Sequence, residues 1–151
     1  MTEAIDPTNP VVALCAQGMT AEGTPTEARR LFELAWEARR DDYDAAIAAH
    51  FLARHQPTAT DTLHWNALAV RHAERVSDGR AAGFLASLYL NLGDSQANVG
   101  ETEAALTSVR AASLHLAAVP SGGYRDFVAL GIDRLAQRLG SPSDTSAEQM
   151  R

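Results

Sequence analysis

Residues 88–112 read LYLNLGDSQANVGETEAALTSVRAA and are the most informative part of the chain for its fold. Leu92 and Gly93 follow an aromatic residue on one predicted helix, and Gly100 supplies the turn after it. The second predicted helix carries a small–large–small series at Ala105, Val109 and Ala112. Small residues where two helices cross let the backbones approach, and large residues fill the space beside them. The stretch therefore predicts two antiparallel helices that pack closely.

Weaker copies of this pattern precede the stretch. Seventy-seven residues earlier the chain repeats most of it, at Val12, Cys15, Ala16, Met19, Gly23, Ala28, Phe32 and Ala35. A middle copy is the most degenerate and is carried by Ala46, Ala49, Ala53, Asn66, Ala69 and Ala73. In that copy His50 stands where the pattern prefers glycine. Three copies in one chain predict three successive helix pairs.

This pattern resembles the tetratricopeptide repeat, in which an aromatic residue, a Leu-Gly pair and a turn glycine precede a small–large–small second helix. The segment HFLARHQ at residues 50–56 is also similar to short bacterial proteins built from such repeats. The resemblance implies an all-α fold of seven helices: an α-α superhelix of three helix pairs with a C-terminal capping helix. It places the helical domain at residues 10–140, between disordered segments at 1–9 and 141–151.

Local signals set the predicted helix ends. Asn9-Pro10, Thr24-Pro25-Thr26-Glu27 and Thr58 with Asp61 each start a helix, the second of them as a capping box. The fifth helix is predicted to begin at Arg80, and the seventh to span residues 124–139 with Gly140 as its C-terminal cap. The apolar side of the seventh helix is predicted to consist of Phe127, Leu130, Leu135 and Leu139.

Composition argues against several classes of protein. The net charge is −6, which disfavours a nucleic-acid-binding surface because such a surface needs clustered positive charge. The single cysteine, Cys15, excludes an internal disulfide framework and a multi-cysteine zinc site. There is no signal-peptide pattern and no apolar run of about 18 residues, which predicts a cytoplasmic protein that does not bind membranes.

The resemblance implies a scaffold that binds a protein or peptide in a concave groove, which is lined by the first helix of each pair. Carried over onto this chain, that lining comprises Gln17, Asp44, Phe51, Arg54, His55, Ser87, Asn91, Asp94 and Asn98. Asn91 and Asn98 suit an extended peptide backbone, because an amide offers both a donor and an acceptor. Arg54 suits a carboxylate of the partner.

No pattern of residues predicts catalysis, a cofactor or a resident metal. There is no strand followed by a glycine-rich turn for a nucleotide cofactor, and no basic patch, so the residues do not support a methyltransferase. No serine lies in a nucleophile elbow, and Cys15 has no recognisable activating partner. We therefore expect a protein that is not an enzyme.

Two alternatives stay open. Four of the five histidines lie between His50 and His72, so this region is a candidate for binding a metal or a small molecule, with enzymatic activity as one possibility. His50 and His55 are five residues apart and do not share a helix face, which weakens that alternative. The apolar side of the first helix, with Val11, Leu14 and Cys15, also predicts a homodimer through the N-terminal helices.

Overall fold

A computed structural model describes the backbone of residues 6–149 and the side chains of residues 6–140. Within these residues there are seven α-helices and no strand, which confirms the all-α class and the number of helices. The helices are α1 (Pro10–Thr20), α2 (Pro25–Glu37), α3 (Asp42–Leu52), α4 (Ala59–Glu74), α5 (Leu85–Asn98), α6 (Thr102–His115) and α7 (Gly123–Gln149). Short 3-10 turns follow α3 and α6.

The helices form two compact units, which we call unit 1 (Met1–Ala82) and unit 2 (Gly83–Arg151). In unit 1, α1 packs on α2 and α3 packs on α4, while α3 also contacts both α1 and α2. In unit 2, α5 packs on α6, and α7 contacts both. Among the helices whose side chains are described, none is both long and apolar enough to cross a membrane.

Several helix starts are fixed by side-chain caps, as the sequence predicts. Asn9 accepts a hydrogen bond from the backbone of Val11 at 2.9 Å, and Thr58 accepts one from Asp61 at 3.1 Å. The capping box predicted at Thr24 is wrong, because Thr24 makes no side-chain cap although the helix does begin at Pro25. Glu27, the acidic residue of the predicted capping box, pairs instead with Arg30 one turn away.

The small–large–small positions form the centre of each unit. The three in unit 1 are all fully buried, at Ala28, Phe32 and Ala35, and their equivalents in unit 2 are buried at Ala105, Val109 and Ala112. Burying a side chain the size of Phe32 contributes about 2–3 kcal/mol. The same positions in the middle copy, including Asn66, are buried as well. The residues that match the repeated pattern are therefore those that pack between the helices.

Two glycines allow helices to approach closely. A side-chain carbon at Gly93 on α5 would lie 3.1 Å from Leu135 and 3.2 Å from Ser108. In α1 the comparable residue is Gly18, where an added carbon would overlap the ring of Phe32. The alignment of repeats pointed to Ala16 at this place, but Ala16 is exposed. A short side chain is therefore required at Gly18 and not at Ala16.

The start of α5 differs from the prediction. The helix begins at Leu85 and not at Arg80, because residues 80–84 form turns. Arg80 places its guanidinium 4.3 Å from the ring centre of Tyr43 and pairs with Asp78 at 2.7 Å. These contacts hold Arg80 against α3 within unit 1, which explains why its good helix propensity does not start α5 there.

The seventh helix also departs from its predicted form. It continues through Gly140, which has no left-handed conformation, so the predicted cap there is wrong. Its buried side consists of Val128, Ile132, Leu135 and Leu139. Phe127 and Leu130, which were predicted on that side, are exposed.

The predicted disordered segments fall partly outside the described residues, and the backbone of residues 141–149 belongs to α7. Residues 1–5 and 150–151 lie outside them, and the side chains of residues 141–149 do so as well. Residues 6–9, which belong to the predicted N-terminal segment, form a turn in which Asp6 accepts hydrogen bonds from Thr8.

Candidate functional site

The four groove residues predicted on α5 lie on one face of that helix. Three of them contact α7 through hydrogen bonds. The Ser87 hydroxyl accepts a bond from Tyr124 at 2.9 Å, and one guanidinium, that of Arg138, donates to Asp94 at 3.0 Å and to Asn98 at 2.6 Å. Because all three bonds are solvent-exposed, they contribute little stability and are open to exchange with a ligand.

Between α5 and α7 lies an open cleft of about 260 Å³, wholly within unit 2. It is lined by Leu90, Asn91, Asp94, Gly131, Arg134, Leu135 and Arg138. Gly131 brings α7 close to Leu90, since a side-chain carbon there would lie 2.7 Å from a methyl of Leu90. The cleft thus joins an apolar floor to a polar rim, and it contains two of the predicted residues, Asn91 and Asp94.

The charges of this cleft are unbalanced. Two arginines, Arg134 and Arg138, face a single carboxylate, that of Asp94, in a chain whose net charge is −6. Arg138 is engaged by Asp94 and Asn98. Arg134 makes no hydrogen bond or ion pair with any residue whose side chain is described. The described lining of the cleft therefore carries more positive than negative side chains, an arrangement that suits an anionic group.

The same sequence reasoning misplaced Asp44. It is fully buried on α3, so it does not line an exposed groove. Its carboxylate accepts bonds from the Asn9 side chain at 2.7 Å and from the backbone and side chain of Arg40 at 3.1 and 3.0 Å. Burial opposes ionisation, but these bonds outweigh it and hold the pKa of Asp44 below its usual value. Asp44 is a structural residue that ties the start of α1 to α3.

Two more of the predicted residues of unit 1, Arg54 and His55, bind the carboxylate of Glu22, which sequence reasoning missed. Arg54 forms two hydrogen bonds to its carboxylate, at 3.0 and 3.1 Å, and His55 lies 2.7 Å from it. Burial raises the pKa of Glu22, but the bonds from His55 and Arg54 lower it by more. Arg54 therefore does bind a carboxylate, but one that belongs to its own chain. Because Glu22 is 32 residues away from Arg54, no local sequence pattern predicts that the two side chains pair.

Phe51 and Gln17 complete the predicted set. Phe51 is half-buried and stacks on Phe32 with ring centres 5.3 Å apart. His55 stacks on the same Phe32 ring at 5.7 Å. Gln17 is exposed on α1. In unit 1, therefore, most of the predicted lining is occupied with contacts inside the unit.

The histidines are dispersed. Burial lowers the pKa of His50 to about 4, and the nearby Arg54 adds to the effect. His72 lies 2.8 Å from Asp42, and His64 is exposed beside Trp65. Among the residues with described side chains, no three groups from His, Cys, Asp or Glu come together to hold a metal ion.

Both tryptophans of the chain meet in unit 1. Trp36 on α2 and Trp65 on α4 pack edge to face with ring centres 5.0 Å apart. Arg39 lies 4.0 Å above the Trp36 ring, and His72 is 6.0 Å from it. Both rings are partly buried and pack against the core of unit 1.

The apolar side of α1 is already covered within unit 1. Val11 and Cys15 are buried there, and Leu14 is half-buried against the same core. Burial raises the pKa of the Cys15 thiol to about 12, which makes the thiol unreactive. The exposed apolar face that motivated a dimer through the N-terminal helices is therefore not present, and the dimer itself stays a prediction.

A scan against protein-family models, a search of curated proteins and a search of solved structures each found no match for this chain. Function has to be inferred from the geometry of the chain itself. Of the two carboxylate-binding arginine groups, the one around Glu22 is satisfied internally, and the cleft between α5 and α7 is open to a ligand.

Proposed function

We propose that this chain is a protein- or peptide-binding scaffold of the tetratricopeptide type, and that it binds through the cleft between α5 and α7. The observation that carries the proposal is the composition of that cleft. It combines an apolar floor at Leu90 and Leu135 with an amide at Asn91 and two arginines at its rim. Such a mixture suits a peptide, which presents apolar side chains together with backbone and carboxylate groups.

The size of the cleft limits the expected affinity. A volume of about 260 Å³ accommodates one or two side chains. A contact of this kind lies at the small end of protein interfaces, for which dissociation constants are on the order of micromolar. We therefore propose a reversible adaptor, working in the cytoplasm.

A peptide-display selection on the immobilised full-length protein tests this function. Recovered peptides are measured against the wild type, Asn91→Ala, Arg138→Ala and the control Arg110→Ala, which alters an exposed arginine on α6. We expect the two cleft variants to weaken binding by about tenfold, since each removes a directional contact, and the control to leave it unchanged. Circular dichroism confirms that each variant folds.

Two outcomes contradict the proposal: a selection that enriches no peptide, and peptides that bind Asn91→Ala and Arg138→Ala as tightly as the wild type. The alternative of metal or small-molecule binding in the region from His50 to His72 has weaker support, because His50, His55 and His72 each pack in a separate contact. A zinc titration by calorimetry that shows stoichiometric binding, lost in His55→Ala, favours that alternative.

A further inference from the structure

Large apolar side chains are exposed together on the first turns of α7. Of the six such residues exposed among the described side chains, three are Tyr124, Phe127 and Leu130. The Phe127 side chain is 74% exposed and that of Leu130 46%. An isolated exposed apolar residue is ordinary on a protein surface, but a cluster on one helix face marks a place where another molecule binds.

The helical spacing extends this cluster into the arginines. Phe127, Leu130, Arg134 and Arg138 are separated by three, four and four residues, so they fall within about 80° of one side of α7. We call this set the α7 stripe. Seven residues separate Phe127 from Arg134, which corresponds to about 10 Å along the helix axis. The stripe is therefore apolar at one end and cationic at the other.

The charges beside the stripe differ on its two sides. One side borders the cleft, where Arg134 and Arg138 project. On the opposite side, helix geometry places the exposed Asp126 and Asp133. A negatively charged ligand is therefore attracted to the cleft side and repelled from the other, which fixes how it lies across the helix.

We propose that the α7 stripe receives an acidic amphipathic helix from a partner protein. Apolar side chains of that helix pack on Phe127 and Leu130, and a carboxylate about two turns further on pairs with Arg134 at the edge of the cleft. The charge complementarity carries this choice of partner, because Arg134 has no acidic partner among the described side chains. Helical ridges at the spacing of the stripe favour a helix as the occupant over an extended strand. The inference rests on the proposed function, since Arg134 belongs to both surfaces.

The test uses a displayed library of helical peptides with randomised apolar and charged positions, screened on the full-length protein. We expect enrichment of peptides in which an aspartate or glutamate lies about seven residues from an apolar pair. One recovered peptide, and its version with glutamine in place of that acid, are then measured against wild type, Phe127→Ala, Arg134→Gln and the control Asp133→Asn.

Phe127→Ala is expected to weaken both peptides about tenfold, because it removes the largest apolar contact. Arg134→Gln is expected to weaken the acidic peptide about fivefold and to leave its glutamine version unchanged, and added salt to reduce the same difference. Asp133→Asn is expected to leave binding unchanged or slightly tighter. All three positions are exposed, so the variants keep the fold.

Three results overturn the inference. The first is that the enriched peptides lack the acidic residue, or that Arg134→Gln leaves their affinity unchanged. The second is peptides that depend on Asn91 but not on Phe127, which leaves the proposed function standing. The third is sedimentation showing a wild-type dimer that Phe127→Ala converts to a monomer, which assigns the stripe to a second copy of this chain. A selection that yields no peptide on any surface instead overturns the proposed function.

Discussion

Asp44 in unit 1 and Asp94 in unit 2 each lie on the first helix of a pair and each bind an arginine, but in opposite environments. The Asp44 side chain is fully buried, whereas that of Asp94 is 55% exposed. Asp44 accepts bonds from three groups and holds two helices together. Asp94 accepts one bond from an arginine at the rim of a cleft.

This difference separates a buried residue that holds helices together from an exposed residue at the rim of a cleft. In unit 1 Asp44 is buried and hydrogen-bonded, and Glu22 pairs with Arg54 and His55. In unit 2 the Asp94 carboxylate is exposed at the rim of the cleft and pairs there with Arg138. The region where the repeat pattern is least obeyed is thus a structural junction, and the cleft lies where the pattern is obeyed best.

The largest expected effect comes from removing the buried carboxylate. Asp44→Ala is predicted to lower the free energy of unfolding by about 3 kcal/mol, because the amide of Asn9 and the backbone N–H of Arg40 lose their acceptor. Urea unfolding followed by circular dichroism measures the loss. A loss below about 1 kcal/mol would show that Asp44 is not the junction described above.

The same carboxylate gives a dependence on pH. The pKa of Asp44 is lowered in the folded chain, so its stabilising contribution is full above the unfolded value of 3.8 and is lost as the pH falls through the lower folded value. Stability of the wild type is therefore expected to fall more steeply than that of Asp44→Asn in this acidic range.

The two glycines that face a neighbouring side chain offer a second contrast. Gly18→Ala is predicted to destabilise unit 1 by about 2 kcal/mol, because Phe32 is fully buried and has no space into which to retreat. Gly131→Ala meets only a terminal methyl of Leu90, which borders the open cleft and can turn away. At this position the gain in helix propensity offsets the cost of the steric contact with Leu90. We therefore expect the free energy of unfolding to change by less than about 1 kcal/mol. Equal losses in urea unfolding for the two variants would contradict the contrast.

His50 provides a third test, at mildly acidic pH. Its pKa is about 4 in the folded chain and 6.5 in the unfolded one, so unfolding takes up a proton between these values. The free energy of unfolding should therefore fall by about 2 kcal/mol as the pH drops from 6.5 to about 4.5. His50→Leu should flatten this dependence, whereas His64→Leu, at an exposed position, should not. If the free energy of unfolding of the two variants depends on pH in the same way, His50 is not the source of this dependence.

The smallest effect is expected at Asp94. Asp94→Ala is predicted to change the free energy of unfolding by less than about 0.5 kcal/mol, because Asp94 and Arg138 are both exposed and solvent screens their interaction. Urea unfolding gives the free energy of unfolding of this variant and of Asp44→Ala, so the two losses can be compared. A loss as large as that of Asp44→Ala would mean that the rim of the cleft is part of the core.

The sequence predicts most of the fold because the signals involved are local. Asn9, Pro25 and Thr58 mark helix starts through contacts within a few residues, and the small–large–small series identifies the faces that are buried. The start of α5 was predicted wrongly because Arg80 is held by Tyr43, and that contact spans 37 residues of sequence. Helix propensity carries no information about a contact of that kind.

The candidate site was predicted only in part for the same reason. Asn91 and Asp94 were predicted from the resemblance to the tetratricopeptide repeat, but the arginines opposite them lie on α7, about forty residues further along the chain. The apolar pattern of α7 is ambiguous as well, because Phe127 and Leu130 repeat at helical spacing yet lie outside the buried side made by Val128 and Ile132. Which of two overlapping apolar stripes faces the core depends on packing against α5 and α6.

Because Trp36 and Trp65 both lie in unit 1, tryptophan fluorescence reports on unit 1 and not on unit 2. Unit 1 holds both indole rings of the protein, whereas unit 2 has no tryptophan and carries the more weakly emitting tyrosines Tyr89 and Tyr124. Tryptophan emission during denaturation therefore reports the melting of unit 1 alone, while far-ultraviolet dichroism averages over every helix. The separation between the two curves is a direct readout of how cooperatively the halves unfold.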